Sequence, residues 1–362
     1  MCEDWAGYST VVGPRWEIEW LIGRWETLRT PDRLRIERPT MVRFHDVHRE
    51  AAHRFEDAWS PAIAVAHHPP GLGMRATAQL QAELMRGPRG RSAFWDAHPP
   101  YHEGPHLVWE PGYRFRSAQQ GVAGIPDDAF NADGLDALVQ SAPAVPSGPT
   151  ANGHRVAVLD TGVRGAAHDM IDFINCHDVG ITTTPAADPH GHGTAVAAVI
   201  TAVRSSADIH PLRVLREDNQ GESYEVLAGL VYTLWSGEYD LVNASLTTDV
   251  SGQCATSLGR SVDYLLSYCS AEVAPPVLVA AAGNWGWAQT SGYPACLPDA
   301  VVALATDDTG ARASYNCTPP PGAITEEAYG GSDAQPLGTL PDGTRLFGTS
   351  FAAAAVSGAY LP

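Results

Sequence analysis

From Val156 onward the chain alternates strand-length apolar runs with helix-length amphipathic stretches, and that order admits few folds. Val156–Asp160 is a short apolar run that ends in an acid. Thr194–Val203 reads as a helix of small residues and Ile209–Leu215 as a strand. Across Ser223–Ser236, the residues Val226, Leu227, Leu230, Val231 and Leu234 share one helical face. Leu241–Ser245 reads as a strand, and Leu258, Val262, Leu265, Leu266 and Cys269 mark a further helical stripe. Val277–Ala282 and Val301–Ala305 are again apolar strands. This alternation predicts the α/β class: a three-layer, doubly wound, mostly parallel sheet covered by helices on both faces. Sheets of that kind hold their sites beyond the carboxyl ends of the strands.

Residues 143–152, with three prolines, a glycine and a serine, read as a linker. They divide the chain into an N-terminal region, 1–142, of unknown fold and a second part, 153–362. The first is rich in Trp, His, Arg and Pro. Within it, residues 76–86 have the pattern of a short amphipathic helix. All 23 basic residues are arginine. Residues 1–116 balance 15 arginines with 15 acids, so the net charge of −18 resides in the rest of the chain. A part that acidic repels a phosphate backbone, which excludes nucleic acid as a partner there. The longest apolar run, Ala195–Val203, is interrupted by Thr201 and falls short of the about 20 residues that cross a membrane.

The opening Met-Cys-Glu-Asp-Trp has neither a basic nor an apolar leader segment. The expectation is a cytoplasmic protein, or a secreted one if the N-terminus is incomplete. The six cysteines are too sparse for a disulfide scaffold and are expected reduced; a Cys296–Cys317 bridge belongs to the secreted alternative.

Four polar residues stand at strand or helix ends. Asp160 closes the first strand in Val-Leu-Asp-Thr-Gly, and His192 lies in Asp-Pro-His-Gly-His-Gly-Thr ahead of a helix. Asn284 ends Val-Leu-Val-Ala-Ala-Ala-Gly-Asn, and Ser350 lies in Gly-Thr-Ser-Phe-Ala-Ala-Ala. A serine hydroxyl needs a base to become nucleophilic, and histidine titrates in the right range to be one. A carboxylate orients that histidine and stabilises its cation. A helix N-terminus and an asparagine amide can each donate to a developing oxyanion.

These motifs resemble those of the subtilisin-like serine peptidases. The likeness covers about 205 residues, from Val156 onward. It rests on Asp-Thr-Gly at 160–162, His-Gly-Thr at 192–194, Ala-Ala-Gly-Asn at 281–284 and Gly-Thr-Ser at 348–350, in the family's order and with spacings typical of it. Ala167–Met170, Leu212–Leu215, Asn243–Leu246 and Tyr293–Ala295 resemble further family segments. The resemblance implies an endopeptidase that forms an acyl-enzyme on Ser350, with His192 as general base and Asp160 as its orienting carboxylate. It implies an oxyanion hole from Asn284 and the Ser350 N–H. It also implies that Ser245, Leu246 and Thr247 on one side, and Ala281, Ala282 and Gly283 on the other, wall the site and pair with an extended polypeptide substrate. No metal or cofactor is needed for that chemistry. Relatives bind structural calcium, but no calcium loop is legible here.

The chain departs from the family in three places. Ala354 replaces a usual proline, Thr247 a usual glycine, and the chain ends at Pro362 where relatives continue. The last departure leads us to expect bare helix and sheet faces unless the N-terminal region covers them or the sequence is incomplete; otherwise the fold is marginal. The alternative function is an inactive fold that binds peptides or a partner. Leu107–Phe115 weakly resembles the closing strand of the family's propeptides, which implies intramolecular inhibition.

Other signals have plainer readings. The second Asp-Thr-Gly, 308–310, lacks an apolar lead-in and reads as a hairpin turn, not half of a paired-aspartate site. His190 and His192 with Asp188, and His45, His48 and His53 with Asp46 and Glu50, lack metal-site spacings. Trp235 reads as packing, while Trp285, next to Asn284, is placed to reach substrate.

Overall fold

The computed structural model describes residues 8–28, 40–44, 61–67, 108–111, 114–118, 130, 139–143, 154–248, 275–340 and 343–361. Residues 76–86, the His45/His48/His53 group, most of the linker and the predicted Leu258–Cys269 helix lie outside them.

The N-terminal region forms its own layer. Strands β1 (Tyr8–Pro14), β2 (Thr40–Met41), β3 (Pro61–His67) and β4 (Val108–Pro111) make an antiparallel sheet in the order β2-β3-β1-β4. Successive side chains of a strand face opposite ways. Ala62, Ala64 and Ala66 of β3 therefore join Val11 against Ile18 and Leu21 of helix α1 (Arg15–Leu28). Ile63 and Val65 face the other way, with Tyr8 and Val12, into the core of the second part.

That second part is an eight-stranded sheet. It contains β6 (His154–Asp160), β7 (Met170–Asp172), β8 (Thr182–Thr184), β9 (Ala207–Arg213), β11 (Leu241–Ala244), β13 (Val277–Ala281), β14 (Val301–Thr306) and β15 (Ile324–Tyr329). Their order is β15-β14-β13-β11-β6-β9-β7-β8, parallel throughout except for β8. Val156, Ala157, Val158 and Leu159 are all fully buried, because each face of the central strand is covered. Val156 and Val158 meet helices α3 (His192–Val203) and α5 (Thr349–Tyr360), while Ala157 and Leu159 meet α4 (Ser223–Ser236). Two helical layers around one mostly parallel sheet match the expected architecture.

Helix α5 is buried from Thr349 to Gly358, so the bare faces expected near it do not occur among the described residues. Phe130 stacks edge-on against Phe351 at 5.3 Å, and Ser141 Oγ accepts from Tyr329 N at 2.7 Å. Residues ahead of the second part thus help to cover it. Arg204 donates to the carbonyls of Gly358 and Leu361, a cation at the negative end of α5.

The structure corrects the expected cysteine chemistry. Cys296 is disulfide-bonded, with its partner outside the described residues, whereas Cys317 is free and buried beside Gly283. Strand β15, with Thr325, Glu326 and Glu327 in its middle, carries no apolar run and was not anticipated. The second Asp-Thr-Gly does form a turn, closed by Asp307 N donating to Ala311 O at 2.8 Å.

Candidate active site

Asp160 and His192 meet at the carboxyl end of β6, and Asn284 and Ser350 meet on the carbonyl oxygen of Ala118. His192 opens α3 and Asp160 ends β6; both side chains are fully buried, with His192 Nδ1 2.7 Å from Asp160 Oδ1. That carboxylate oxygen also accepts from Thr161 N at 2.8 Å. The two elements approach closely because glycine stands on both. A Cβ on Gly193 would lie 2.0 Å from Gly162 O, and one on Gly162, whose φ is +114°, would lie 2.0 Å from Ala187 O. No side chain fits either gap.

Asp188 ties this arrangement together. Its carboxylate accepts from Thr161 Oγ1 (2.8 Å), Gly191 N (2.7 Å), Thr194 N (2.8 Å) and Thr194 Oγ1 (2.7 Å). It thereby satisfies N–H groups at the start of α3, which lack partners inside the helix. Four donors to a buried carboxylate mark it as structural. His190 Nδ1 accepts from His192 N at 3.3 Å, so it too supports the turn.

Ser350 lies in the first turn of α5. Its Oγ donates to Ser245 O at 3.1 Å, while Ser245 Oγ lies 2.8 Å from Ser350 O and 3.0 Å from Asn243 Oδ1. His192 Nε2 is buried with no hydrogen-bond partner. Asn284 Oδ1 accepts from Thr349 N at 3.0 Å and from Thr349 Oγ1 at 2.9 Å, which fixes the amide. Its NH₂ group then faces the cleft.

The cleft holds a segment of the same chain. Strand β5 (Arg114–Ser117) lies between β12 (Leu246–Thr248) and β10 (Gln220–Glu222), antiparallel to both. Leu246 pairs with Ser117 and Thr247 with Arg116, and Ala118 N donates to Ser245 O at 3.0 Å. Ala118 O accepts from Ser350 N at 3.1 Å and from Asn284 Nδ2. Phe115 is buried edge-on against Tyr293 at 5.8 Å, and the Arg116 guanidinium lies 5.6 Å from the centre of the Trp285 ring. Trp235 is 8% exposed and packs in the core, as read from the sequence.

The two sequence-expected walls lie differently against the β5 segment. Ser245, Leu246 and Thr247 border the segment. The second ladder belongs to Gln220–Glu222, not to Ala281–Gly283. Ala281 is buried in β13, Ala282 N donates to Ala303 O at 3.0 Å, and Gly283 N to Thr349 Oγ1 at 3.1 Å. Those two N–H groups are spent inside the protein. The missed strand, Gln-Gly-Glu, is short and polar; its one signal was position, between a predicted strand and a predicted helix. Asn219 was missed for the same reason.

The N-terminal layer joins the helix that follows β10. Glu222 and Glu225 form a reciprocal capping box at the start of α4, and Tyr8 Oη accepts from Ser223 N at 2.9 Å. Burial pushes the Glu225 carboxyl up to about 7, against the opposing pull of the adjacent Arg216 guanidinium. Tyr8 meets Tyr224 edge-on at 5.2 Å. His67, at the end of β3, lies 3.1 Å Nε2 to Nε2 from His177 in helix α2 (Cys176–Val179).

The family model of the Subtilase family, Peptidase_S8, matches residues 151–361. Subtilisin E of Bacillus subtilis (strain 168) is 30% identical over 233 residues, which cover 60% of this chain and 57% of that protein. Subtilisin BL of Lederbergia lenta is 32% identical over 232 residues, 61% of this chain and 80% of its own length. A thermostable alkaline protease of Halalkalibacterium halodurans is 30% identical over 197 residues, 50% of this chain and 51% of its own. The stretch this chain shares with Subtilisin E is thus little more than half of that relative's length. With most of the chain under the family model and its motifs gathered at one end of the sheet, this protein belongs to the subtilase family.

Proposed function

We propose that the protein is a serine endopeptidase and that its first substrate is its own Ala118–Gln119 bond. One observation carries this reading: the Ala118 carbonyl oxygen accepts from both Ser350 N and Asn284 Nδ2. Those are the two donors an acyl-transfer site aims at the oxygen that becomes negative. The residues before Ala118 are held as an added strand, the usual mode for extended peptides.

Ser350 Oγ attacks the Ala118 carbonyl carbon. To do so its hydroxyl leaves the Ser245 carbonyl and gives its proton to His192. Nε2 of His192, buried and unpartnered, is the acceptor for it. Asp160, bonded to the opposite ring nitrogen, stabilises the resulting cation. The Ala118–Gln119 bond breaks as His192 returns the proton to the Gln119 amine, leaving Ala118 esterified to Ser350. Water, deprotonated by His192, then frees Ser350 and the Ala118 carboxylate. The released segment keeps its ladders to β10 and β12 and therefore inhibits until it dissociates.

The test is mass spectrometry of purified protein beside Ser350→Ala. The wild type is expected to yield one fragment ending at Ala118 and another beginning at Gln119, while the variant stays whole. An intact wild type that also resists a fluorophosphonate probe would favour the alternative, an inactive peptide-binding fold.

A further inference from the structure

Away from the cleft, three side chains meet at one flank of the sheet. His168 lies in the turn that runs from β6 to β7, eight residues after Asp160. Asp208 and His210 are two apart in β9 and so face the same way. His168 Nε2 is 2.7 Å from Asp208 Oδ1, and His210 Nε2 is 3.2 Å from Asp208 Oδ2. The two imidazoles stack with centroids 3.9 Å apart and planes 14° from parallel. Tyr239 meets His210 edge-on at 5.5 Å and supports that ring.

One donor atom from each residue therefore lies within 4.8 Å of the other two. Among the described residues no other group of three His, Cys, Asp or Glu is so gathered. Four-coordinate zinc, with ligands at roughly 2.0–2.1 Å, sets neighbouring donors about 3.3 Å apart. The observed His–carboxylate separations of 2.7 and 3.2 Å need only a small opening to reach it. The side chains are 40%, 37% and 20% exposed, so an ion reaches them from solvent. Two nitrogen donors and one oxygen suit the zinc class of divalent ions; calcium and magnesium prefer oxygen alone.

We propose that His168, Asp208 and His210 bind a divalent transition-metal ion of the zinc class. Each imidazole would coordinate through Nε2 and carry its proton on Nδ1. Asp208 would supply a carboxylate oxygen, and water the fourth position. The ion would clip the turn after β6 to β9 and so brace the segment that leads away from Asp160. This role is structural and does not depend on peptidase activity.

The test uses the full chain carrying Ser350→Ala, which prevents self-cleavage, titrated with ZnSO₄ and separately with CoCl₂. Zinc in large excess over its Kd is expected to raise Tm by several degrees. Cobalt is expected to give the visible d–d bands of a low-symmetry, nitrogen- and oxygen-ligated site, without the intense near-ultraviolet band of thiolate ligation. Both signals should vanish in His168→Gln/His210→Gln, whose glutamines remain able to donate to Asp208 and preserve the fold. Absence of any Tm rise with zinc would overturn the proposal. So would an equal rise in the double variant, or a cobalt spectrum dominated by thiolate, either of which would place the ion elsewhere.

Discussion

Asn219 holds Ser117 at two points: its Oδ1 accepts from Ser117 N at 3.3 Å, and its Nδ2 donates to Ser117 Oγ at 2.6 Å. Ser117 precedes Ala118, the residue whose carbonyl faces Ser350. The asparagine sits at φ +63°, a left-handed position that Asn tolerates better than most side chains. The second contact reaches a side chain, not just the backbone, so under the proposed cleavage it would favour a hydroxyl before Ala118. A net hydrogen bond contributes about 1 kcal/mol, or roughly fivefold. Asn219→Ala should therefore lower kcat/KM for a Phe-Arg-Ser-Ala peptide by about fivefold to tenfold. It should also abolish the preference over Phe-Arg-Ala-Ala. Retention of that preference would show that another group reads Ser117.

Thr349 decides how Asn284 points. Its N–H and hydroxyl both donate to Asn284 Oδ1, so the amide cannot turn without losing both, and the hydroxyl is itself held by accepting from Gly283 N. Replacing the oxyanion asparagine costs about 10²–10³ in kcat, a magnitude established on subtilisin itself. Thr349→Val keeps the shape and removes the hydroxyl. The expected result is a smaller fall in kcat, about tenfold by the worth of one or two hydrogen bonds, with KM unchanged. Combined with Asn284→Ala it should add little, because both act through one amide. Full additivity in steady-state kinetics would refute that coupling.

The close approach of the two glycines makes a stability prediction. Gly193→Ala sets a methyl group 2.0 Å from Gly162 O and 3.0 Å from Asp160 Cβ. Backbone must move, and overpacking of this kind costs about 1–3 kcal/mol or more. Chemical denaturation of the Ser350→Ala chain should show that loss. Gly165→Ala is the control: open space surrounds that position, but its φ of +68° adds backbone strain. Its cost should be the smaller of the two.

Much of this site was legible because its chemistry sits at the ends of strongly apolar strands. Asp160 and Asn284 each follow such a run, and His192 and Ser350 each open a helix of small residues. Periodicity therefore located the frame, and motif order located the side chains. The occupied cleft was legible only through the resemblance of Leu107–Phe115 to a propeptide's closing strand, not from local pattern. Strand β5 gains its form from β10 and β12, more than 100 residues away, and nothing local in Arg-Phe-Arg-Ser announces it. The same holds for β15, whose glutamates pair only because β14 offers an edge. The Cys296–Cys317 pairing failed because the turn after Ser314 carries Cys317 under Gly283, where its sulfur packs in place of a bridge.

The His67–His177 contact makes docking of the N-terminal layer sensitive to acid. The two Nε2 atoms share one hydrogen bond, so at most one ring can be protonated without loss of the contact. His177 Nδ1 is already buried without a partner. Burial, and then the neighbouring His67, lower the pKa of His177 below 6.5; Asp178 opposes this and Arg216 reinforces it. Tyr224, on α4, and Tyr8, on β1, pack their rings against the pair. A group whose pKa is depressed in the docked state takes up a proton on release. Docking is thus strongest above about pH 6.5 and weakens as pH falls through that value. Docking is therefore expected to be weaker at pH 5.5 than at pH 7.5. Release of fragment 1–118 from 119–362 by Ser350-cleaved protein, followed by fluorescence, measures it. His177→Gln, which can still bond His67, should flatten the profile; an unchanged profile would assign the acid sensitivity to another group.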